Sequence, residues 1–267
     1  MLKCHYEIIK LEKEGTVGPK ALEGMRLMIN TYLGAHMLKR ADNNNYTLYK
    51  IEKRTLKSFT RINNTWADQS FAWNTKSPIL YLVGGYKMIA DQRSKRRDSK
   101  VRTRPTYNQN IQALNLISGA FQETGFGMLT VPRARCNSCL AREDLLYVFW
   151  GYQQKQTNVV DGQANYVWEP VKSIEVLNVF KPEAQSRVMN VRYPLPYRIM
   201  RISHVKQEEF LILGKDAQKK NLFQMNKFNL ADSSVTNYRW NRDKQVPIHW
   251  QDFYYTVATR QESISQG

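Results

Sequence analysis

Cys136-Asn-Ser-Cys139 is the one spacing in the chain that suggests a metal, because two thiolates two residues apart supply half of a tetrahedral zinc site. The other half would have to come from Cys4 or from His5, His36, His204 and His249, which stand far apart in the sequence. Without an evident second pair, Cys136 and Cys139 read as reduced structural thiols, with zinc kept as the alternative, and no cofactor is expected. Arg133, Arg135 and Arg142 flank the motif. They suggest an exposed basic loop, whose cations would lower a thiol pKa. A second chemistry to consider is metal-dependent phosphodiester cleavage, which needs carboxylates beside a lysine. Asp161, Glu169 and Lys172 come nearest. In a strand, however, Glu169 and Lys172 point to opposite faces. Walker, Rossmann, HExxH and GxSxG patterns are all absent, so no catalytic residue is assigned and the chain is read as a non-enzyme.

Charge is the stronger signal. The 267 residues carry 40 Lys+Arg against 23 Asp+Glu, a formal +17. Such an excess repels itself in a folded body and usually answers a polyanion, nucleic acid first and an anionic membrane surface next. Residues 1–105 hold a net +12 and residues 106–267 a net +5. Within Arg93-Ser-Lys-Arg-Arg-Asp-Ser-Lys-Val-Arg-Thr-Arg104 there are seven cations and one anion. Arg93, Lys95, Arg96, Arg97, Lys100, Arg102 and Arg104 are therefore the expected phosphate contacts, with Arg133, Arg135 and Arg142 as secondary ones. The same run fits a nuclear import signal. Basic and aromatic residues also interleave at Tyr193, Tyr197, Arg198 and Arg201, and at Tyr238, Arg239, Trp240 and Arg242. There, rings for base stacking would sit beside phosphate-neutralising cations, although aromatics on alternating strands are commonly core.

These residues need a folded frame. With 15 Tyr, 10 Phe and 6 Trp the chain is too aromatic for a disordered tail, although its mean hydropathy is −0.58. Three cysteines do not make a disulfide framework, which points to a reducing, intracellular compartment. No apolar run approaches a membrane span, and the N-terminus does not read as a signal peptide.

The first forty-five residues read as a helical segment. Leu22, Met25, Met28/Ile29, Tyr32/Leu33 and His36/Met37 recur at helical spacing, after Gly18-Pro19 and before Asp42-Asn43-Asn44-Asn45. On that face His36 reads as a core histidine. A β domain is expected over 46–260, with a basic insertion loop at 93–105 and a tail at 261–267. Tyr46–Glu52 and Thr55–Ile62 alternate, and Ser77-Pro-Ile-Leu-Tyr-Leu-Val83 is a short apolar run ended by Gly84-Gly85. Residues 107–122, with Ile111, Leu114, Ile117 and Phe121 on one face, suggest a second helix. Further strands are expected at 127–132, 144–152, 164–169, 173–180, 187–193, 197–205, 209–214, 221–228, 234–240 and 251–259. No internal repeat is read. The fold class expected is mainly β, an antiparallel sandwich or barrel with two helices.

Several segments resemble the capsid proteins of small circular single-stranded DNA viruses. Leu145-Leu-Tyr-Val-Phe-Trp-Gly-Tyr-Gln-Gln-Lys-Gln-Thr-Asn158 is similar to their hydrophobic strand and the loop after it. Tyr197-Arg-Ile-Met-Arg-Ile-Ser-His204 resembles a strand followed by a basic turn. Lys219–Lys227, Val235–Trp240 and the aromatic Asp252–Thr259 resemble later strands. The resemblance implies an eight-stranded jelly roll that self-assembles and packages single-stranded DNA, in the virion and, during assembly, in the host nucleus. Those capsids usually open with an Arg-rich arm, whereas here the densest cations are internal. The alternative is a monomeric nucleic-acid-binding factor, ribosome- or RNA-associated, with the same charge and no self-assembly.

Overall fold

The computed structural model describes residues 25–40, 45–52, 55–63, 66–74, 76–90, 103–142, 144–160, 163–183, 186–191, 198–215 and 223–238. These residues are mainly β, all antiparallel, and form four four-stranded sheets that follow one another along the chain. The first sheet is β1 (Met25–Thr31), β2 (Gly34–Arg40), β3 (Tyr46–Glu52) and β4 (Thr55–Ile62), paired in that order. The second holds β5 (Ser70–Trp73) and β6 (Ile79–Val83). It then breaks for a separate hairpin, β7 (Tyr86–Ala90) with β8 (Thr103–Tyr107), and resumes with β9 (Gln112–Asn115) and β10 (Phe121–Gln122). The third repeats that plan. β11 (Asn137–Ala141) and β12 (Leu145–Phe149) are followed by the hairpin β13 (Tyr152–Val160)–β14 (Gln163–Pro170), then β15 (Ser173–Asn178) and β16 (Arg187–Asn190). The fourth is β17 (Arg198–Lys206), β18 (Glu209–Lys215), β19 (Phe223–Asn229) and β20 (Val235–Tyr238).

Each sheet packs face to face on the next, so the middle two are buried on both sides. On β6, Leu80 and Leu82 enter a core shared with Ile29, Leu38 and Leu48 of the first sheet. Tyr81 and Val83 enter a core shared with Leu140, Leu146 and Val148 of the third. On β12 the alternation repeats, with Tyr147 and Phe149 meeting Phe210, Ile212 and Phe228 of the fourth sheet. Burial on both faces is why these strands read as unbroken apolar runs. The first strands of the second, third and fourth sheets also converge. Arg201 on β17 lies 3.8 Å over the Trp73 ring on β5, although the third sheet intervenes. Flat sheets stacked about 10 Å apart would hold those two residues beyond reach. β11 packs against both β5 and β17.

Three expectations are corrected. The helical segment read over residues 1–45 is not seen where it is described: 25–40 form the hairpin β1–β2, which pairs on into β3, and residues 1–24 and 41–44 lie outside the described residues. Leu38 and Met37 enter different cores, and apolar residues on both faces of a strand can mimic helical spacing. The helix read across 107–122 is β9 and β10, joined by a turn in which the Asn115 side-chain oxygen accepts from the Ile117 and Ser118 amides. There Ile111 and Ala113 face the third sheet while Leu114 and Leu116 face the first. Among the described residues the strands run in chain order within every sheet. The strand expected at 127–132 makes only an isolated bridge, Asn110 to Met128.

The chain also repeats. Tyr81-Leu-Val-Gly-Gly-Tyr86 and Tyr147-Val-Phe-Trp-Gly-Tyr152 end β6 and β12 and open the two hairpins. Ile111-Gln-Ala-Leu-Asn-Leu116 and Ile174-Glu-Val-Leu-Asn-Val179 carry the returning third strands, and Met225-Asn-Lys-Phe-Asn-Leu230 does so in the fourth sheet. The inserted hairpins hide the period.

Candidate nucleic-acid interface

Both hairpins leave their sheets at the same end and from the same position, after the second strand. Each root is held by a backbone bridge, Ala67 with Tyr86 and Ala134 with Tyr152. The turn glycines are required there. Gly85 (φ +97°) and Gly151 (φ +107°) lie in the left-handed region, and a Cβ on each would stand 2.8 Å from the carbonyl of the bridging alanine.

Beneath the roots lies a buried polar hub. Arg133 and Glu175 are fully buried and 3.2 Å apart. Arg133 uses all five N–H donors, giving Nε to the Val131 carbonyl, Nη1 to the Trp150 and Ser173 carbonyls, and Nη2 to Ser173 Oγ and Glu175. Glu175 also accepts from the Thr130 and Val131 amides and the Ser186 hydroxyl. Burial pulls the Arg133 pKa down, opposed by the nearby Cys136 and Glu175. In the second sheet the corresponding acceptors, the Gly84 carbonyl and Gln112, are both served by the Gln69 side chain. The corresponding acceptors are therefore served by a buried arginine and its ion pair in one repeat, and in the other by a neutral glutamine from a different position of the preceding segment.

Above the roots, cations and rings alternate. The Arg135 guanidinium lies 4.1 Å over the Trp168 ring, and the Lys87 ammonium 4.4 Å over Trp66. Tyr86 meets Trp168 edge-on at 5.1 Å, joining the two hairpins, and the Gln154 amide donates to the Tyr107 hydroxyl. Arg104 is exposed on β8.

The expected phosphate contacts thus divide. Arg93, Lys95, Arg96, Arg97, Lys100 and Arg102 lie outside the described residues, between β7 and β8, and Arg104 is the second residue of the return strand. Arg133 is corrected: with its guanidinium buried and all donors occupied, it braces the hairpin roots and has no face to offer a phosphate. Arg135 is exposed beside the hairpins and pairs with Asp68 at 2.8 Å. Arg142 is exposed at the other end of β11. Of the basic–aromatic residues, Arg201 is taken up by Trp73. Arg198 and Tyr238 are placed in β17 and β20, and Tyr193, Tyr197, Arg239, Trp240 and Arg242 lie outside the described residues.

Cys136 and Cys139 enter different cores on opposite faces, so they do not jointly ligate one ion. Burial pushes their thiols up to about 11 and about 12. The cationic lowering expected from the flanking arginines is therefore outweighed. Glu169 pairs with Lys155 at 3.2 Å, and Asp161 lies outside the described residues. Among the described residues no three His, Cys, Asp or Glu side chains stand together as a metal site. His36 is buried against Phe59, and burial lowers its pKa. No helix among the described residues is long and apolar enough to cross a membrane.

No protein-family model matches the chain, and no curated protein matches it. A solved structure titled "Structure of U3-55K" aligns with a TM-score of 0.42 and 9% identity, over 80% of this chain and 51% of that one. The chain thus spans about half the length of that neighbour.

Proposed function

We propose that the chain is a non-enzymatic binding scaffold with propeller-type architecture, whose hairpin end engages nucleic acid. Four successive four-stranded meanders, packed face to face with the first strands of the last three converging, fit radial repetition of blades better than a two-layer sandwich. The observation that carries the function is the clustering of both inserted hairpins at one end. One hairpin brackets the densest cation run, and their shared root carries the Arg135–Trp168 and Lys87–Trp66 pairs. A net +17 makes a polyanion the fitting partner.

The self-assembling capsid reading rests on a jelly-roll resemblance whose described segments fall here in meander sheets and an inserted hairpin, with Asp252–Thr259 outside the described residues. The non-assembling reading therefore has the better support. Light scattering on nuclease-treated protein tests it, with a monomer expected near 31.3 kDa. A labelled oligonucleotide should bind reversibly. Replacing all seven cations of 93–104 with Ala should flatten the salt dependence by up to about 5 in log–log slope. Large particles retaining protected nucleic acid would favour the capsid reading, and an unchanged slope would remove the basic run from the interface.

A further inference from the structure

The two hairpins present complementary faces to each other. Tyr86, Met88, Pro105 and Tyr107 share one face of β7–β8, because Tyr86 pairs with Tyr107 and Met88 with Pro105. On β13–β14 the register places Tyr152 with Pro170, Gln154 with Trp168 and Gln156 with Tyr166 on one face. The faces meet at their roots through Tyr86 and Trp168 and through the Tyr107–Gln154 hydrogen bond. Toward the tips the surface opens. Met88 is 45% exposed, Gln156 is exposed and Tyr166 half-buried. Arg104, on the other face of β8, leads into the remaining cations of the run.

We propose that this paired-hairpin surface holds the unpaired bases of a single-stranded nucleic acid. The inference rests on the nucleic-acid reading above and narrows it. Bases stack on Tyr166 and against Met88, while the strand's phosphates run toward Arg104 on β8. Charge alone does not distinguish one strand from two. A partly exposed ring such as Tyr166 does, because a duplex keeps its bases stacked on each other and offers an aromatic side chain no open face. The exposed amide of Gln156 lies on the same face and suits a base edge without imposing one sequence.

The test is fluorescence anisotropy on the full chain, with labelled oligothymidylate and a labelled duplex of equal length at the same salt. The single strand should bind more tightly. Tyr166→Ala and, separately, Met88→Ala should each weaken single-strand binding, the tyrosine variant by on the order of tenfold, with little change for the duplex. Tyr166→Phe keeps the ring and should restore binding, which separates stacking from loss of a hydroxyl. Thermal melts check that each variant remains folded, and Met88, an exposed side chain, serves where Tyr166→Ala does not. Equal losses for both probes, or single-strand affinity unchanged in both alanine variants, would overturn the proposal. If the basic-run variant loses binding while these do not, the charge-based reading stands and the base-stacking one fails. If the wild-type chain binds neither probe, both fail.

Discussion

Asp68 and Arg135 occupy corresponding positions in neighbouring repeats, and they bind each other. Both are left-handed, at φ 54° and 53°, each just after the alanine that bridges its hairpin root. The Arg135 amide donates to the Asp68 carbonyl at 2.9 Å and its Nε to the Asp68 carboxylate at 2.8 Å. The pair laces the two repeats together and places one anion beside a cation of the candidate interface.

Asp68→Asn should therefore act on binding more than on stability. An exposed ion pair contributes about 0–1 kcal/mol, so the urea midpoint should barely move. Releasing Arg135 from its carboxylate should tighten oligonucleotide binding and steepen its salt dependence. Weaker binding would mean that Asp68 positions Arg135 rather than competing with the ligand for it.

The buried hub behaves differently. Glu175→Gln leaves the Arg133 charge buried without its counterion, at a cost of about 3–5 kcal/mol. Gln112→Leu in the other repeat removes only a neutral acceptor for Gln69, at about 1–3 kcal/mol. Equilibrium urea unfolding of both variants gives the ranking, and similar losses would contradict the energetic difference between the repeats.

Gly84 has φ +67°, and a Cβ there would lie 2.5 Å from the Arg133 carbonyl oxygen. Gly34 has φ +101° with open space around it. Both Ala variants carry backbone strain of about 1 kcal/mol or more. Gly84→Ala adds a clash with backbone, so its melting temperature should fall well below that of Gly34→Ala.

The two buried thiols set an alkaline dependence. Their native pKa values, about 11 and about 12, lie above the ordinary 9.0. The unfolded chain releases these protons first, so the contribution is complete below pH 9 and is lost as pH rises toward 11 and 12. Cys136→Ala/Cys139→Ala should flatten the fall in stability between pH 9 and 10.5. At pH 8 a thiol reagent should label neither residue until the protein unfolds, and fast labelling mapped to Cys136 or Cys139 in the native chain would contradict their burial.

Much of the strand content was legible from local pattern. Tyr46–Glu52 and Thr55–Ile62 alternate because their sheet is sided, and Ile79–Val83 is apolar throughout because its sheet is covered twice. The same double covering hid the strands of 107–122, where consecutive residues feed different cores, and in 25–40 the small outer cluster of Met37 with Leu56 had the same effect. β11 was read as part of a basic loop because Arg133, Arg135 and Arg142 flank it, although Ser138, Cys139 and Leu140 are buried. Arg133 looked like a surface cation for the same reason. Its partner Glu175 lies beyond an inserted hairpin, and no local window shows that pairing. The matched Tyr81–Tyr86 and Tyr147–Tyr152 segments were the available signal for the hub and for both hairpin roots.

Photo-crosslinking tests the central claim most directly. A single-stranded oligonucleotide carrying 4-thiothymidine is irradiated with the full chain, and the attached peptides are mapped by mass spectrometry. Adducts concentrated in 86–107 and 152–170 are predicted, and they should disappear in high salt. Adducts confined to the opposite turns, at 116–120, 141–144 and 179–186, would contradict a nucleic-acid interface at the hairpin end.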